Sequence, residues 1–248
     1  MKKINYQLII EYNGTRFVGW QTQKNGKSVQ AVVETALSKT LKKKVKIIGS
    51  GRTDAGVNAW GQSVNFYHND IIRDYFKFIS TVNFFLKSYD ISVINIKKRN
   101  LKFHARHSAK KRLYEYLILN RQAKPSLEKN RVWQVKKKLD LSTMKRAMTY
   151  FMGTHNFSVF RASSCTAKSP IRTITKAKIK KNKDKFIIEF ESKSFLQKQV
   201  RSMVGCIKYI GEKKWSPNKI KKIIKSQNRG ECAPPAPAQG LYLKKVFY

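Results

Sequence analysis

Acidic residues are scarce in this chain of 248 residues. Aspartate and glutamate total 14, six of them aspartates, against 53 lysines and arginines. The formal net charge is therefore +39, and the sequence pI is about 10.3. Metal-dependent nucleases use several clustered carboxylates to hold their ions. So few acids, dispersed along the chain, exclude that class of enzyme.

Cysteine and long apolar runs are also scarce. The three cysteines (Cys165, Cys206 and Cys232) form no C-x-x-C pair and have no histidine at metal-binding spacing. A disulfide framework or a metal site is therefore not expected, and a reducing compartment fits. No apolar run approaches membrane-spanning length. We expect a cytoplasmic protein that makes no membrane contact.

Several catalytic signatures are missing as well. The chain has no P-loop and no G-x-G-x-x-G fingerprint, no serine stands in a nucleophile elbow, and the four histidines show no spacing typical of a triad. We expect no cofactor.

The excess of positive charge points to a polyanionic partner, with nucleic acid as the leading candidate. An alternative stays open, because lysines outnumber arginines by 40 to 13, as codon drift in an AT-rich genome would produce. Hydrophobic residues at 41% and aromatic residues at 12% are enough for a folded core, so the chain is not a disordered basic tail.

Hydrophobic periodicity predicts alternating strands and helices in both halves of the chain. The predicted strands are 4–12, 45–48, 62–67, 91–96, 112–119, 171–180, 186–191 and 241–247, and the predicted helices are 29–41, 70–87, 141–152, 195–210 and 218–225. Hairpins mixed with helices indicate an α+β fold with a largely antiparallel sheet flanked by helices. The likeliest boundary between halves lies near residues 100–110.

The run from Gly51 to Phe66 (GRTDAGVNAWGQSVNF) places Asp54 between Arg52-Thr53 and Ala55-Gly56. The predicted strand at 45–48 leads into this run, so Asp54 lies on a loop beyond a strand end, where functional groups are common. The alternative interpretation is that this run is an ordinary turn in which Asp54 forms a surface ion pair. A carboxylate retained in so basic a chain favours a functional role.

Three further residues could take part in chemistry. Tyr114 and Tyr116 share one strand face because they are two residues apart, and they either pack in the core or stack on bases. Arg201 lies on or beside the apolar face of a predicted helix. A buried arginine needs an anionic partner, and Asp54 is the obvious candidate because acids are so few. Such a pair would keep the carboxylate ionised at neutral pH.

Ordered motifs along nearly the whole chain resemble the tRNA pseudouridine synthase A family. The matching segments are YNGTRFVGWQ (12–21), SVQ with Glu34 (28–34), GRTDAG (51–56), FHAR (103–106), RLY (112–114), GTHNFS (153–158), FL with VR and G (195–205) and PAPAQGLYL (235–243). Asn13 and Asn58 depart from the family pattern, which has Asp and His there. Neither coincides with a catalytic position, so we expect activity to survive.

The resemblance implies roles for individual residues. Asp54 matches the essential aspartate, Tyr114 the tyrosine that packs on the target base, and Arg201 the basic residue that pairs with the aspartate. Arg52, Arg106 and Arg112 are then expected, with Tyr114, to bind substrate. No residue is assigned to a metal.

The resemblance also implies the reaction, the partner and the architecture. The reaction would be isomerisation of uridine to pseudouridine at positions 38–40 of the tRNA anticodon arm, without cofactor or metal, by a homodimer. The fold would be the pseudouridine synthase sheet in two similar halves, 1–105 with the aspartate loop and 106–248 with the tyrosine strand and arginine helix. A non-catalytic basic RNA-binding protein is the competing hypothesis.

Overall fold

The computed structural model describes residues 3–23 and 25–248, in two compact units. The first unit runs to Lys110 and also contains Leu243–Tyr248, while the second comprises Lys111–Tyr242. The division into halves 1–105 and 106–248 stays a prediction.

The first unit is built on an antiparallel sheet with two helices. Its elements are β1 (Ile4–Tyr12), α1 (Val29–Thr40), β2 (Ile48–Gly49), β3 (Asn58–His68), α2 (Tyr75–Leu86) and β4 (Ile91–Arg99). Strand β1 is central and pairs antiparallel with both β3 and β4, while β2 pairs with β3. Tyr6, Leu8 and Ile10 of β1 are fully buried, as expected for a central strand.

Both helices of the first unit begin at a capping side chain. The Ser28 hydroxyl accepts a hydrogen bond from the Ala31 N–H, and the Asp74 carboxylate accepts one from the Lys77 N–H. Each cap satisfies a backbone donor that the first helical turn leaves free. Because Asp74 is the cap, α2 begins at Tyr75, and the prediction of a helix from residue 70 was wrong at that end.

The second unit contains a four-stranded antiparallel sheet. Its elements are β5 (Lys111–Leu119), β6 (Trp133–Gln134), α3 (Leu141–Thr149), β7 (Gly153–Asn156), β8 (Ile171–Asn182), β9 (Lys185–Ser192), α4 (Gln199–Gly211) and α5 (Lys219–Ser226). The last strand is β10 (Leu241–Phe247), whose residues from Leu243 onward belong to the first unit. The sheet order is β5-β9-β8-β7, and the short β6 runs parallel to β5.

The predicted α+β class with a mostly antiparallel sheet is confirmed, but several further boundaries were wrong: the strand expected at 62–67 spans Asn58–His68, the strand expected at 91–96 extends to Arg99, and the helix expected at 141–152 ends at Thr149. The strand expected at 45–48 is observed only at Ile48–Gly49, since the preceding backbone is held by a side chain, the Glu34 carboxylate, which accepts from the Ile47 N–H at 3.1 Å. The helix expected from residue 195 begins at Gln199, because Lys198 adopts a left-handed conformation (φ 62°) that cannot continue a helix.

Candidate active site

Asp54 lies in the loop that joins β2 to β3. The Val57 N–H donates to the Asp54 carbonyl oxygen at 3.1 Å, and Gly56 has a φ of +76°, a conformation that glycine adopts without steric cost. The loop therefore turns tightly just after the aspartate. The Asp54 side chain is half-buried, its neighbour Thr53 is buried, and Arg52 is exposed.

The N-terminal segment holds one side of this loop. The Trp20 N–H donates to the Thr53 carbonyl oxygen at 3.1 Å, and the Tyr12 and Thr53 hydroxyl oxygens are 2.8 Å apart. Gly19 has a φ of +119°, and a Cβ at that position would lie 2.8 Å from the Thr53 oxygen. Only a glycine allows the backbone to approach so closely.

Two buried polar residues hold the other side. The Ser50 hydroxyl donates to Gln62 Oε1 at 2.7 Å, and Gln62 Nε2 donates to the Gly51 carbonyl oxygen at 2.8 Å. The Ser50 N–H also donates to the Ser63 carbonyl oxygen at 2.8 Å. Both Ser50 and Gln62 have no exposed surface. The backbone before Asp54 is thus fixed by hydrogen bonds shielded from water, which are costly to break.

The two departures from the family pattern both have structural roles. Asn58 is buried, and its Oδ1 accepts from the Gly14 N–H at 2.8 Å, which ties the start of β3 to the N-terminal segment. The Asn13 Oδ1 accepts from the Thr15 N–H at 3.0 Å and from the Thr15 hydroxyl at 2.6 Å. A carboxylate oxygen could accept both bonds equally well, so Asn13 keeps the cap that Asp would form.

Arg106 lies in the first unit, in a loop organised by His104. The Nδ1 atom of His104 accepts from the backbone N–H groups of Arg106 and His107 at 3.2 and 3.3 Å. Both bonds require Nδ1 to be unprotonated. Burial, followed by the charge of His107, lowers the pKa of His104 and so favours that state. The Arg106 side chain is exposed. The FHAR segment contains His104, but the sequence did not predict that its ring would hold the backbone of this loop.

Tyr114 and Tyr116 lie in β5 of the second unit. Tyr116 is fully buried, its hydroxyl donates to the Pro237 carbonyl oxygen at 2.8 Å, and burial raises the pKa of Tyr116 well above its usual value. Tyr114 is 8% exposed, and its ring meets the Phe195 ring edge to face, with centroids 5.3 Å apart. Tyr116 is therefore a core residue with no exposed surface, and Tyr114 is buried apart from 8% of its surface.

Arg201 lies in the first turns of α4 and is fixed by the segment from Ala233 to Gly240. Its Nε donates to the Ala236 carbonyl oxygen at 2.7 Å, and the Ala236 N–H donates back to the Arg201 carbonyl oxygen at 2.9 Å. A Cβ at Gly205 would lie 2.1 Å from the Pro234 oxygen, so the segment packs directly on the helix. The Arg201 side chain is half-buried.

Arg112 begins the same strand as Tyr114. It is 8% exposed, and its Nη1 donates to the Lys193 carbonyl oxygen. Arg52, Asp54 and Arg106 thus belong to the first unit, while Arg112, Tyr114 and Arg201 belong to the second. The ion pair between Asp54 and Arg201, and the substrate-binding roles of the arginines, stay predictions.

Two kinds of feature are absent from residues 3–23 and 25–248. No group of three or more His, Cys, Asp or Glu side chains there could hold a metal ion. None of the helices in that part of the chain has the length and apolar character needed to cross a membrane. The candidate chemical groups are therefore the Asp54 carboxylate, on a loop held by hydrogen bonds in the first unit, and Tyr114 and Arg201 in the second unit.

An aspartate, a tyrosine and an arginine on an α+β scaffold define the class of protein to which comparison with known proteins points. The model of a family described as tRNA pseudouridine synthase matches residues 8–108 and 147–248. A tRNA pseudouridine synthase A of Pelagibacter ubique is 55% identical over 243 residues, covering 98% of this chain and 99% of the relative.

More distant relatives carry the same name. The protein from Ehrlichia ruminantium (strain Gardel) is 40% identical and covers 99% of this chain, and that from Parvibaculum lavamentivorans is 39% identical and covers 98%. All three matches extend over nearly the full length of both chains. The chain belongs to the tRNA pseudouridine synthase family.

Proposed function

We propose that this protein isomerises uridine to pseudouridine in tRNA, at positions 38–40 of the anticodon arm. The observation that carries the proposal is the Asp54 loop. Tyr12 and Trp20 contact Thr53, and Gln62 holds the Gly51 carbonyl oxygen, so the residues just before this carboxylate are fixed in place. Catalytic groups need such support, because small displacements of a reacting group cost large factors in rate.

The reaction moves one glycosidic bond within a nucleotide. The bond from the sugar C1′ to the uracil N1 breaks, the ring rotates, a bond forms from C1′ to C5, and N1 gains a proton while C5 loses one. Asp54 either attacks the nucleoside or removes a proton on a glycal route. Arg201 is the basic partner of Asp54 in this proposal, and Tyr114 packs on the target base and relays a proton.

Binding must also expose the target uridine. A stacked nucleotide hides its glycosidic bond, and flipping it out costs a few kcal/mol. Phosphate contacts by Arg52, Arg106, Arg112 and the many lysines supply that free energy and make the affinity depend steeply on salt. Because the chain carries 53 basic residues and 14 acidic ones, its field favours a long polyanion.

Further proposals on assembly, location, cofactors and the two halves complete this assignment. The enzyme works as a homodimer in the cytoplasm and uses neither cofactor nor metal. The half from residue 1 to 105 supplies Asp54, and the half from 106 to 248 supplies Tyr114 and Arg201. The support is the resemblance of the motifs that contain these residues to those of the family.

The competing function is RNA binding without catalysis. It accounts for the charge and for aromatic side chains on a strand. It provides no reason for a basic RNA-binding surface to contain Asp54, since a carboxylate repels phosphate.

The test uses unmodified tRNA transcripts with tritium at C5 of uridine. Release of tritium, together with carbodiimide-blocked primer extension stops at positions 38–40, reports the isomerisation and its site. We expect Asp54→Asn to abolish both signals while tRNA affinity changes little. The matched control is Asp70→Asn, which alters a carboxylate with 79% side-chain exposure in the same unit and should convert uridine normally. Tight tRNA binding by the wild type without tritium release would establish the non-catalytic alternative.

A further inference from the structure

Two cysteines that are far apart in sequence lie side by side in the second unit. The Sγ atoms of Cys206, in α4, and Cys232, just before the segment that fixes Arg201, are 3.6 Å apart. Cys206 has no exposed surface, whereas Cys232 is partly exposed. A disulfide bond is about 2.05 Å long, so the sulfurs need to approach by about 1.5 Å to form one.

The surroundings shift the pKa values of the two thiols in opposite directions. The hydrogen bond from Cys206, followed by the charge of the Arg229 guanidinium, lowers the pKa of Cys232. The same hydrogen bond, together with burial, raises the pKa of Cys206 far above its usual value. A partly exposed thiol with a lowered pKa, beside a buried thiol with a raised pKa, makes Cys232 the sulfur that attacks first, and the 3.6 Å separation places Cys206 to attack the Cys232 sulfur next.

Arg229 is itself held in place. Its Nη1 donates to the Val159 carbonyl oxygen at 2.9 Å and to the Ser202 hydroxyl at 3.3 Å. Ser202 is fully buried, one turn before Cys206 in α4. The positive charge beside Cys232 is therefore anchored to the backbone and not carried on a freely rotating side chain.

We propose that Cys206 and Cys232 form a redox-active dithiol, a covalent modification site whose oxidant is a low-molecular-weight disulfide. The Cys232 thiolate attacks one sulfur of that disulfide, forms a mixed disulfide and releases one thiolate. The Cys206 sulfur then attacks the Cys232 sulfur, its proton passes to the departing second thiolate, and that group leaves as a thiol. The protein loses two protons and two electrons, and the small disulfide is reduced to two thiols.

The position of the pair links it to the residues that fix Arg201. Cys206 is five residues after Arg201 in α4, and Cys232 is four residues before Ala236, the hydrogen-bonding partner of Arg201. The new bond would cross-link the helix to that segment. The site does not depend on the proposed reaction, because its chemistry requires only the two thiols and Arg229.

The test is oxidation of the full-length native protein with glutathione disulfide at neutral pH. After remaining thiols are alkylated, mass spectrometry of proteolytic fragments should show a Cys206–Cys232 bond, with Cys165 alkylated. Cys206→Ser and, as a second variant, Cys206→Ala should stop at a glutathione adduct on Cys232. Cys232→Ser should leave Cys206 unmodified, because that sulfur has no exposed surface. The control Cys165→Ser should behave as the wild type.

Arg229 provides an independent check. In the Cys206→Ala background, we expect Arg229→Gln to slow adduct formation on Cys232 by about three- to tenfold, because less of the thiol is ionised. The proposal is overturned if glutathione adds only to Cys165, if the adduct on Cys232 accumulates in the wild type without resolution, or if the Cys206–Cys232 bond forms only after the protein is unfolded in urea.

Discussion

Arg201 and Ala236 exchange two hydrogen bonds: the guanidinium Nε donates to the Ala236 carbonyl oxygen at 2.7 Å, and the Ala236 N–H donates to the Arg201 carbonyl oxygen at 2.9 Å. The side chain of a helical residue and its own backbone are thus both tied to a segment 35 residues later. Such a double tie restricts the directions in which the guanidinium can point. It also joins the motif around Arg201 to the proline-rich motif.

The first prediction concerns the guanidinium of Arg201. Arg201→Lys keeps the charge but loses the planar group that donates to Ala236. A hydrogen bond from a charged group is worth about 1.5–3 kcal/mol, so we expect kcat/KM for tRNA isomerisation to fall by roughly 10- to 100-fold. The control is Arg146→Lys on the exposed side of α3, which should leave kcat/KM unchanged. Equal activity of wild type and Arg201→Lys would show that the bond to Ala236 does not position the charge.

The second prediction concerns the hydroxyl pair of Tyr12 and Thr53. Tyr12→Phe leaves the buried Thr53 hydroxyl without this partner, and we expect the free energy of unfolding to fall by about 1–2 kcal/mol. Because Thr53 precedes Asp54, we also expect kcat to fall while the tRNA Kd stays unchanged. Urea unfolding and single-turnover kinetics measure the two effects.

Tyr6→Phe is the matched control for that change. Tyr6 is also buried in β1, and its hydroxyl accepts from the Ile72 N–H at 2.9 Å, away from the Asp54 loop. The same atom is removed from the same strand, so stability should fall by a similar amount with kcat preserved. If both variants lose kcat equally, the effect of Tyr12 is one of general stability.

The third prediction concerns Gly19. Gly19→Ala introduces a Cβ 2.8 Å from the Thr53 carbonyl oxygen at a φ of +119°. We expect destabilisation by more than about 1 kcal/mol, the usual cost of placing alanine at a positive φ, together with loss of activity as the loop is displaced. Thermal unfolding and tritium release measure both effects.

Gly153→Ala is the control that separates backbone strain from the steric clash between the new Cβ of Gly19→Ala and the Thr53 carbonyl oxygen. Gly153 has a φ of +93°, but the nearest atom to its added Cβ, on His155, is 3.8 Å away. The variant should show the strain alone and keep its activity. A Gly19→Ala protein as active as Gly153→Ala would argue against tight packing of Trp20 and Thr53 as a requirement for catalysis.

The fourth prediction concerns pH. The folded protein lowers the pKa of His104 through burial and the charge of His107, so folding favours the neutral ring. The unfolded chain then binds the proton more readily, and the contribution of His104 to stability is present above about pH 6.5, the pKa of an unperturbed histidine, and is lost as pH falls through the folded pKa. We expect the urea midpoint to decrease between pH 7.5 and pH 5.5.

His104→Asn tests the origin of that decrease. The Asn Oδ1 can accept the Arg106 and His107 N–H groups but does not titrate, so the variant should lose less stability than the wild type over the same pH range. His155→Asn, at a histidine whose ring interacts with the Met152 carbonyl oxygen outside this loop, serves as the control. An identical pH dependence in wild type and His104→Asn would assign the effect to other groups.

Local patterns in the sequence predicted most elements well. Strand β1, helix α1, strand β5, the hairpin of β8 and β9, and strand β10 all lie within a residue or two of their predicted bounds. These segments have strong apolar periodicity or clear turn residues, and such signals are local. The errors arose where one side chain or one backbone angle decides a boundary, as at Asp74 and Lys198.

The sequence by itself determined the α+β class, the family, and the identity of Asp54, Tyr114 and Arg201 as candidate site residues, because residue type and order carry that information. Tertiary structure alone decided what holds those residues in place. The contacts of Thr53 with Tyr12 and of Cys206 with Cys232 join positions 41 and 26 residues apart. Hydrogen bonds and packing act through space, so pairings of this kind exist only once the chain has folded and leave no regular spacing in the sequence.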